Sequence, residues 1–393
     1  MKSLNELDLK DQRVLLRVDF NVPMDDGIIE DNFRIQAALP TVRFCLKQGA
    51  SVVLLSHLGR PGGQPDPALS LLPVAEELEV LLKQDILFSQ DCVSDQAIEV
   101  SQALPAQRIH LLENLRYHTE EEANEPDFSA RLARHGNTYV NDAFGTAHRA
   151  HASNVGVVSH FRNAGIGLLM AIELDVLRGL QAKPEKPFAI VLGGAKIAGK
   201  LDLLQKLVPQ AQRLIIGGGM AFTFLKSQGL NVGGSLVDDA LVDEAASVLR
   251  MAREQGVDIY LPTDVVAAGE LSESVAWKLI SVEELTGADK GVDIGPESCS
   301  IFSAALADAR TIFWNGPMGV FELPPFRTGT EMIVAAIAEA TAAGAVSIVG
   351  GGDSVAAIQL LGAPKQFTHI STGGGASLEL LSGRALPALE ALA

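Results

Sequence analysis

The sequence predicts an α/β protein with two domains, each a doubly wound parallel sheet, joined by a hinge helix. Three observations support this prediction. Short apolar runs that suit buried strands alternate with helical periodicity along the chain. Glycine clusters follow several predicted strands in the second half. The length of 393 residues exceeds the size at which one hydrophobic core keeps growing, so two domains are expected, and the alternation makes each of them Rossmann-like.

The first half contains four runs typical of buried strands: RVLLRVDF (13–20), SVVLLSH (51–57), IHLLEN (109–114) and TYVNDAF (138–144). Between them, residues 34–49 and 71–84 space their apolar side chains as amphipathic helices do, and Gly49 suits the position after a helix end. A repeated strand–helix–strand order predicts a parallel sheet covered on both faces. We therefore predict an N-terminal domain over residues 1–168.

The same alternation restarts after the midpoint, with predicted strands at 187–194, 213–219, 258–264, 311–317, 346–353 and 368–375. These strands predict a second doubly wound domain over residues 187–377. Residues 165–187 have the pattern of one long helix followed by a Lys/Pro-rich break, and we assign 169–186 as an interdomain helix and linker. A helix that joins two domains can transmit motion between them.

Charge and hydropathy exclude several classes of partner. The net charge of −17 disfavours general attraction to nucleic acid or to an anionic membrane surface. No apolar run approaches the roughly 20 residues that cross a bilayer, and the polar N-terminus lacks a secretory apolar segment. The three cysteines, Cys45, Cys92 and Cys299, are far apart and suggest neither a disulfide framework nor a Cys-rich zinc site. We expect a cytoplasmic protein that binds neither nucleic acid nor membrane.

Glycine clusters mark the carboxyl ends of the second-half strands, the edge at which open α/β sheets bind ligands. They occur at 193–194, 217–219, 350–352 and 373–375, each before a helical pattern. Backbone without Cβ atoms can approach phosphate oxygens closely, and a helix N-terminus supplies free N–H groups. The clusters predict a nucleotide or phosphate site, although glycines also simply form tight turns.

Charged residues accompany these glycine loops. Lys196 and Lys200 are four residues apart at the predicted start of the next helix, so their ammonium groups are expected to share one face and flank a phosphate. Asp353 follows a glycine triplet and is placed to hold Mg²⁺ on phosphates. The alternative interpretations are that both lysines are solvated at the surface and that Asp353 caps the N-terminus of the following helix.

Residues 194–201, GAKIAGKL, also come close to a P-loop. The pattern G-x-x-x-x-G-K is present, but Leu201 stands where Ser or Thr is needed to bind Mg²⁺. A P-loop ATPase is therefore a second interpretation. ATP hydrolysis without an acceptor would support it.

The first-half strand ends carry a different set of polar side chains: Arg17, Asp19, Asn21, His57, Arg60, Arg116, His148, Arg149 and His151. Guanidinium groups bind carboxylates and phosphates through two parallel hydrogen bonds, so several together suit a small anionic substrate. Taken singly, each arginine is an ordinary partner for a surface ion pair. The i, i+3 spacing of His148 and His151 is also compatible with a metal site.

Eight motifs in this order resemble the motif series of the phosphoglycerate kinase family: RVDFNVP, SHLGRP, LENLRYH, YVNDAFGTAHRAH, GGAKIAGK, FWNGPMGVFE, VGGGDS and STGGGASLELL. They extend from residue 17 to residue 381. The resemblance implies a glycolytic kinase that transfers a phosphoryl group reversibly between Mg-ATP and the carboxylate of 3-phosphoglycerate, giving ADP and 1,3-bisphosphoglycerate. It also implies a monomer whose C-terminal segment, 378–393, returns to the N-terminal domain.

The resemblance assigns roles to individual residues. For the phosphoglycerate site it implies Asp19, Asn21, Arg34, His57, Arg60, Arg116 and Arg149, with a surrounding basic patch of Arg17, His148 and His151. For the nucleotide site it implies Lys196, Lys200, Gly218, Gly219, Asn315, Glu322 at the ribose, Gly350, Gly351, Gly352, Asp353 as the Mg²⁺ ligand, and Ser354. Residues expected to act on the phosphoryl group in flight are Arg34, Lys196, Lys200, Gly373, Gly374 and Gly375.

A carboxylate acceptor needs no general base, so the implied mechanism is alignment and charge neutralisation after domain closure. The sequence departs from the family pattern at Gly199, because an acidic residue usually precedes the second lysine, and at Gln36, where Arg is frequent. Losing that carboxylate removes a counter-charge beside Lys200. A catalytically weakened member that serves as a binding protein is a third interpretation, and the retained lysines, Asp353 and arginines count against it.

Overall fold

The computed structural model describes residues Met1–Ala393, and the chain divides into two compact units. Unit 1 contains Met1–Asp175 and Ala385–Ala393, and unit 2 contains Val176–Arg384. Each unit combines helices with a parallel sheet, which confirms the predicted α/β class. None of the helices has the length and apolar character that a membrane crossing requires.

Unit 1 contains nine strands: β1 (Lys2–Ser3), β2 (Arg13–Arg17), β3 (Met24–Asp25), β4 (Ile28–Ile29), β5 (Ser51–Leu55), β6 (Ile86–Ser89), β7 (Ile109–Leu112), β8 (Thr138–Asn141) and β9 (Ala164–Ile166). All except the β3–β4 ribbon form one parallel sheet in the order β1-β9-β8-β2-β5-β7-β6. The central strands β5, β7 and β8 are buried along their whole length. Such complete burial is typical of strands covered on both faces.

The helices of unit 1 are α1 (Phe33–Lys47), α2 (Leu72–Leu82), α3 (Asp95–Gln102), α4 (Thr119–Ala123), α5 (Pro126–Ala133) and a C-terminal helix (Pro387–Ala391). The division between the units falls inside α6 (Leu168–Ala182). Two side chains hold the start of α6 within unit 1. Asp142 Oδ1 accepts a hydrogen bond from the N–H of Met170 at 2.9 Å, and Thr41 Oγ1 accepts one from Leu168 at 2.9 Å.

Unit 2 also contains nine strands: β10 (Phe188–Leu192), β11 (Arg213–Ile216), β12 (Asp258–Tyr260), β13 (Asp264–Ala268), β14 (Trp277–Ser281), β15 (Lys290–Ile294), β16 (Thr311–Asn315), β17 (Val346–Gly350) and β18 (His369–Ile370). Six of them form a parallel sheet in the order β12-β11-β10-β16-β17-β18. These are the six strands predicted for the second half, although the predicted ends extended into the loops. The helices are α7 (Leu201–Leu207), α8 (Ala221–Ser227), α9 (Val242–Glu254), α10 (Pro296–Leu306), α11 (Thr328–Ala342), α12 (Gly352–Leu360) and α13 (Gly375–Leu381).

A second sheet in unit 2, with the order β14-β13-β15, is antiparallel and was not predicted. Strand β14 is mostly exposed, and Trp277 and Leu279 on it are about half accessible. Its sequence, WKLIS, has neither a long apolar run nor the clean alternation that identifies a strand.

Candidate active site

Unit 1 gathers polar side chains at the carboxyl ends of four adjacent strands. Arg17 ends β2, His57 follows β5, Arg116 follows β7 and Arg149 follows β8. Because these strands are neighbours in one parallel sheet, their ends lie along a single edge. With Arg34 from α1, they form what we call the cationic cluster: Arg17, Arg34, His57, Arg116 and Arg149.

Asp19 and Asn21 organise the loop after β2. Asp19 Oδ2 lies 3.0 Å from Arg34 Nη1, and Asp19 Oδ1 lies 3.9 Å from His57 Nδ1. The side-chain oxygen of Asn21 accepts a hydrogen bond from the N–H of Gly59 at 2.8 Å. Asp19 thus positions Arg34, whose side chain remains 28% exposed and free to meet a ligand.

His57 is neutral in this environment. The whole residue is only 4% exposed. Burial, then the positive charges of Arg17, Arg116, Arg34 and Arg149, hold its pKa well below the ordinary value. The Nη2 of Arg17 lies 3.3 Å from His57 Nδ1, and a guanidinium can only donate, so Nδ1 is the acceptor and the ring proton sits on Nε2. His57 therefore offers an N–H donor rather than a charge.

Arg17 is almost completely buried and is balanced by a buried acid. Its Nε donates to Ser153 Oγ at 2.8 Å, and Ser153 Oγ donates to Glu121 Oε1 at 2.6 Å. Burial raises the pKa of Glu121, while Arg17 acts in the opposite direction. His151 Nδ1 lies 3.8 Å from the same Glu121 oxygen. His148 and His151 are not part of a group of three converging metal ligands.

Arg116 and Arg60 differ in their environments. Arg116 Nη1 donates to the carbonyl of Gly59 at 2.7 Å, and its Nε lies 3.2 Å from Glu122 Oε1. Burial, with a smaller effect from Arg149, lowers the pKa of Arg116 to about 10, so it stays charged at neutral pH. Arg60 is exposed in the loop after β5.

Unit 2 has a cavity of about 390 Å³ at the carboxyl end of its parallel sheet. The cavity is lined by Gly194, Ala195, Lys196, Ala198, Lys200, Asn315, Gly316, Gly351, Gly352, Asp353, Ser354, Gly374, Gly375 and Leu378. We call it the phosphate cavity, because it contains both lysines and several of the glycines that were predicted to contact phosphates. It brings together nine of the residues predicted for the nucleotide and transfer sites.

The two lysines are not related as predicted. Helix α7 begins only at Leu201, so Lys196 lies in the preceding loop and the helical i, i+4 relation was wrong. Gly199, just before Lys200, has a φ of +81°, which is incompatible with a right-handed helix at this position. Lys196 is exposed, whereas Lys200 donates to the carbonyl of Gly193 at 2.6 Å. Burial lowers the pKa of Lys200 to about 8, and Asp353 acts in the opposite direction.

Asn315 presents an unsatisfied donor to the phosphate cavity. The residue is 3% exposed, and its Nδ2 has no hydrogen-bond partner within the chain. Gly351, at φ +92°, approaches closely, since a Cβ there would lie 2.9 Å from Asn315 Nδ2. A buried amide without a partner is costly, so an external acceptor is expected at this position.

A second cavity of about 460 Å³ adjoins the first and shares Gly194, Ala195 and Asp353 with it. We call it the apolar cavity, because Leu236, Leu271, Val292, Pro317 and Val320 line it. Gly219 and Glu322 are the other predicted site residues that it contains. Sequence reasoning missed these apolar side chains. Val320 could have been identified from the sequence, because it lies between Asn315 and Glu322 in one motif.

Of the nucleotide and transfer residues predicted in unit 2, three line neither cavity: Gly218, Gly350 and Gly373. Gly218 has a φ of +61°, which favours glycine. It also lies so close to the backbone of Gly194 that an added Cβ would be 2.5 Å from the Gly194 nitrogen. Gly350 ends β17, and Gly373 donates to Ser371 Oγ at 3.0 Å. In this structure these glycines shape the loops.

Comparisons with known proteins identify the family. The family model described as "Phosphoglycerate kinase" matches residues 4–384. The phosphoglycerate kinase of Rippkaea orientalis is 47% identical over 390 residues, covering 99% of this chain and 98% of the relative, and that of Chloroherpeton thalassium is 45% identical over 391 residues, covering 100% and 98%. Solved structures of phosphoglycerate kinases from Coxiella burnetii (38% identity, TM-score 0.86) and Pyrococcus horikoshii OT3 (32%, TM-score 0.87) each align with 100% of this chain and 98% of theirs. The chain belongs to the phosphoglycerate kinase family.

Proposed function

We propose that this chain catalyses reversible phosphoryl transfer between ATP and the carboxylate of 3-phosphoglycerate, giving ADP and 1,3-bisphosphoglycerate. The observation that carries the proposal is that each unit presents, at the carboxyl edge of its own parallel sheet, the chemistry for one substrate. Family membership supports the same reaction.

The acid is assigned to the cationic cluster of unit 1. A molecule with a carboxylate and a phosphate suits several guanidinium groups, which bind such anions in a planar, bidentate manner. Neutral His57, Asn21 and exposed Arg60 complete the proposed site with hydrogen-bond donors. Arg34 is proposed to contact the reacting carboxylate, because Asp19 positions it while leaving part of it exposed.

The nucleotide is assigned to the two adjoining cavities of unit 2. The apolar cavity suits a base, and the phosphate cavity suits the phosphate chain. Glu322 lines the apolar cavity and is exposed, which suits hydrogen bonds to ribose hydroxyl groups. Lys200, Lys196 and Asn315 are proposed to contact phosphate oxygens.

Asp353 fits the Mg²⁺ that the family's chemistry implies. It is an exposed carboxylate in the first turn of α12 and lines both cavities. Mg²⁺ takes oxygen ligands, usually one or two carboxylates together with substrate phosphates. When bound there, the ion supplies neutralisation of phosphate charge.

The proposed mechanism relies on alignment and charge. The acceptor carboxylate is already deprotonated at neutral pH, so no residue has to remove a proton. Lys200, Arg34 and the N–H groups of Gly374 and Gly375 are proposed to neutralise charge on the transferring group. Because the two substrates are assigned to different units, we include domain closure, which also excludes water. We further propose a monomer, as the family resemblance implies, and a cytoplasmic location, which the three free cysteines support because disulfides are rare in the reducing cytosol.

A trapping assay tests this function. The purified chain is incubated with Mg-ATP and hydroxylamine, with or without 3-phosphoglycerate, because hydroxylamine converts an acyl phosphate into a hydroxamate. The proposal predicts hydroxamate and ADP only when the acid is present. Equal ATP hydrolysis without the acid would instead favour an ATPase, and ligand binding without turnover would favour a binding protein.

A further inference from the structure

Three metal-ligating side chains converge in unit 1 outside the cationic cluster: Asp91, Cys92 and His118. One ligand atom from each, a carboxylate oxygen, the thiol sulfur and a ring nitrogen, lies within 4.8 Å of the other two. Asp91 and Cys92 follow β6, and His118 lies beyond the end of β7. Since β6 and β7 are neighbours, the sheet topology brings these two loops together.

We propose that Asp91, Cys92 and His118 form a binding site for a borderline divalent cation of the Zn²⁺ type. A thiolate, an imidazole and a carboxylate are the three donors that Zn²⁺ accepts in proteins. Harder ions such as Mg²⁺ and Ca²⁺ prefer oxygen ligands and do not select sulfur. Three protein ligands leave a fourth tetrahedral position for water.

Contacts outside the trio hold the Asp91 and His118 side chains and the backbone at Cys92 in place. Asp91 Oδ1 accepts hydrogen bonds from the N–H groups of Val93 and Ser94 at 2.6 and 2.7 Å, which leaves Oδ2 facing His118 Nε2 at 3.5 Å. The His118 ring packs on Phe128 with a centroid distance of 5.3 Å. The carbonyl of Cys92 accepts a hydrogen bond from His135 Nε2 at 3.0 Å. Such outer contacts orient ligands before a metal arrives.

The site is open on one side and closed on the other. The Asp91 and His118 side chains are 39% and 26% exposed, so an ion and its water can enter past them. Cys92 is 1% exposed and forms the closed side. On binding, the cation replaces the thiol proton, which passes to solvent, and His118 binds through Nε2 with its proton on Nδ1.

Cobalt spectroscopy on the full-length chain tests the site. Co²⁺ takes Zn²⁺ positions and gives a thiolate charge-transfer absorption only when a cysteine sulfur is bound. We expect one equivalent of Co²⁺ to produce this absorption and one equivalent of Zn²⁺ to abolish it. Mg²⁺ in excess should leave the absorption unchanged.

Variants show whether Cys92 or another cysteine produces the absorption. Cys92→Ala should eliminate the absorption, and Cys45→Ala, which removes another buried thiol of unit 1, should retain it. His118→Phe keeps the packing on Phe128, and Asp91→Asn keeps the loop hydrogen bonds. Each should weaken Co²⁺ binding more than the roughly 10- to 100-fold loss that outer contacts cause. Thermal unfolding of each variant without metal verifies that it is folded.

Two results would overturn the inference. One is the absence of a thiolate absorption at saturating Co²⁺, or its persistence in Cys92→Ala. The other is unchanged affinity in both His118→Phe and Asp91→Asn, because the sulfur would then bind the ion without its two neighbours.

Discussion

The ammonium group of Lys200 donates to the carbonyl oxygen of Gly193 at 2.6 Å, across the carboxyl end of β10. The same nitrogen lies 3.3 Å from the carbonyl of Asn315, which ends the neighbouring strand β16. The ends of two buried strands therefore hold this cation at the phosphate cavity. This arrangement links the fold of unit 2 directly to the proposed phosphate contacts.

Replacing Lys200 by Met should remove this charge while keeping the length of the side chain. We expect kcat to fall about 10²- to 10³-fold, as when one preorganised donor to a developing charge is lost. Lys206→Met is the matched control, because Lys206 is exposed on α7 and lines neither cavity. Steady-state kinetics measure both variants, and near-normal turnover in Lys200→Met would contradict the assigned role.

The affinity for ADP should fall as pH rises through about 8. The pKa of Lys200 is lowered to about 8 by burial, so the ammonium that attracts phosphates is present below this pH and lost above it. Bound phosphate favours the charged form, so binding near pH 8 should also take up protons. Calorimetry from pH 6.5 to 9.5 in buffers of different ionisation enthalpy measures both effects. A decline that persists in Lys200→Met would assign it to another group.

Substituting Gly199 should cost stability through the backbone alone. Its φ is +81°, and a Cβ added there would meet nothing within 4 Å. We expect Gly199→Ala to lower the free energy of unfolding by about 1–2 kcal/mol, and Gly199→Asn to lower it less, because Asn tolerates this region. Gly179→Ala, inside α6, should instead stabilise the chain by roughly 0.5–1 kcal/mol. Chemical denaturation tests this order, and equal effects of the Ala and Asn changes at Gly199 would contradict it.

The buried central strands of both parallel sheets follow from patterns that the sequence displays, whereas the strand order was not predicted. Trp314 and Phe188 lie in continuous apolar runs, which predict strands covered on both faces. The antiparallel strand at Trp277 escaped prediction because its exposed side chains give no periodic signal. The loop at Lys196 was mistaken for helix because the positive φ of Gly199 is invisible to spacing rules.

The sequence predicts only part of the site, because contacts between distant segments leave no local pattern. Arg17 and Arg116 stand at strand ends, and parallel topology brings such ends to one edge. Glu121 balances the charge of Arg17 through Ser153. Arg17 and Ser153 are 136 positions apart in the chain, and Ser153 and Glu121 are 32 apart, so no local sequence pattern indicates this contact. The apolar cavity similarly depends on Leu236 and Val292 from distant segments.

Replacing Asn315 should have opposite effects on stability and on ADP binding, because its side-chain amide has no hydrogen-bond partner within the chain. Asn315→Leu keeps the approximate shape and removes the unpartnered donor, so the free energy of unfolding should rise by about 1 kcal/mol. Affinity for ADP should fall roughly tenfold with the lost phosphate contact. Ser303→Ala removes another unpartnered buried oxygen, outside both cavities, and should leave ADP binding unchanged. Unchanged ADP affinity in Asn315→Leu would show that the amide does not meet the nucleotide.

Arg34 should determine binding of the acid. Arg34→Gln removes the charge and the bidentate fork, so we expect the KM for 3-phosphoglycerate to rise at least about tenfold, with kcat also reduced. Arg43→Gln, an exposed change on the same helix, should leave both values nearly unaltered. A matching loss in the two variants would indicate a general charge effect.

The central claim, that each unit binds one substrate, is tested most directly by calorimetry of both ligands against two variants. The account predicts that Lys200→Met loses affinity for ADP and retains that for 3-phosphoglycerate, whereas Arg34→Gln shows the reverse. Loss of both ligands in either variant, with the fold intact by circular dichroism, would contradict the separation of the two sites.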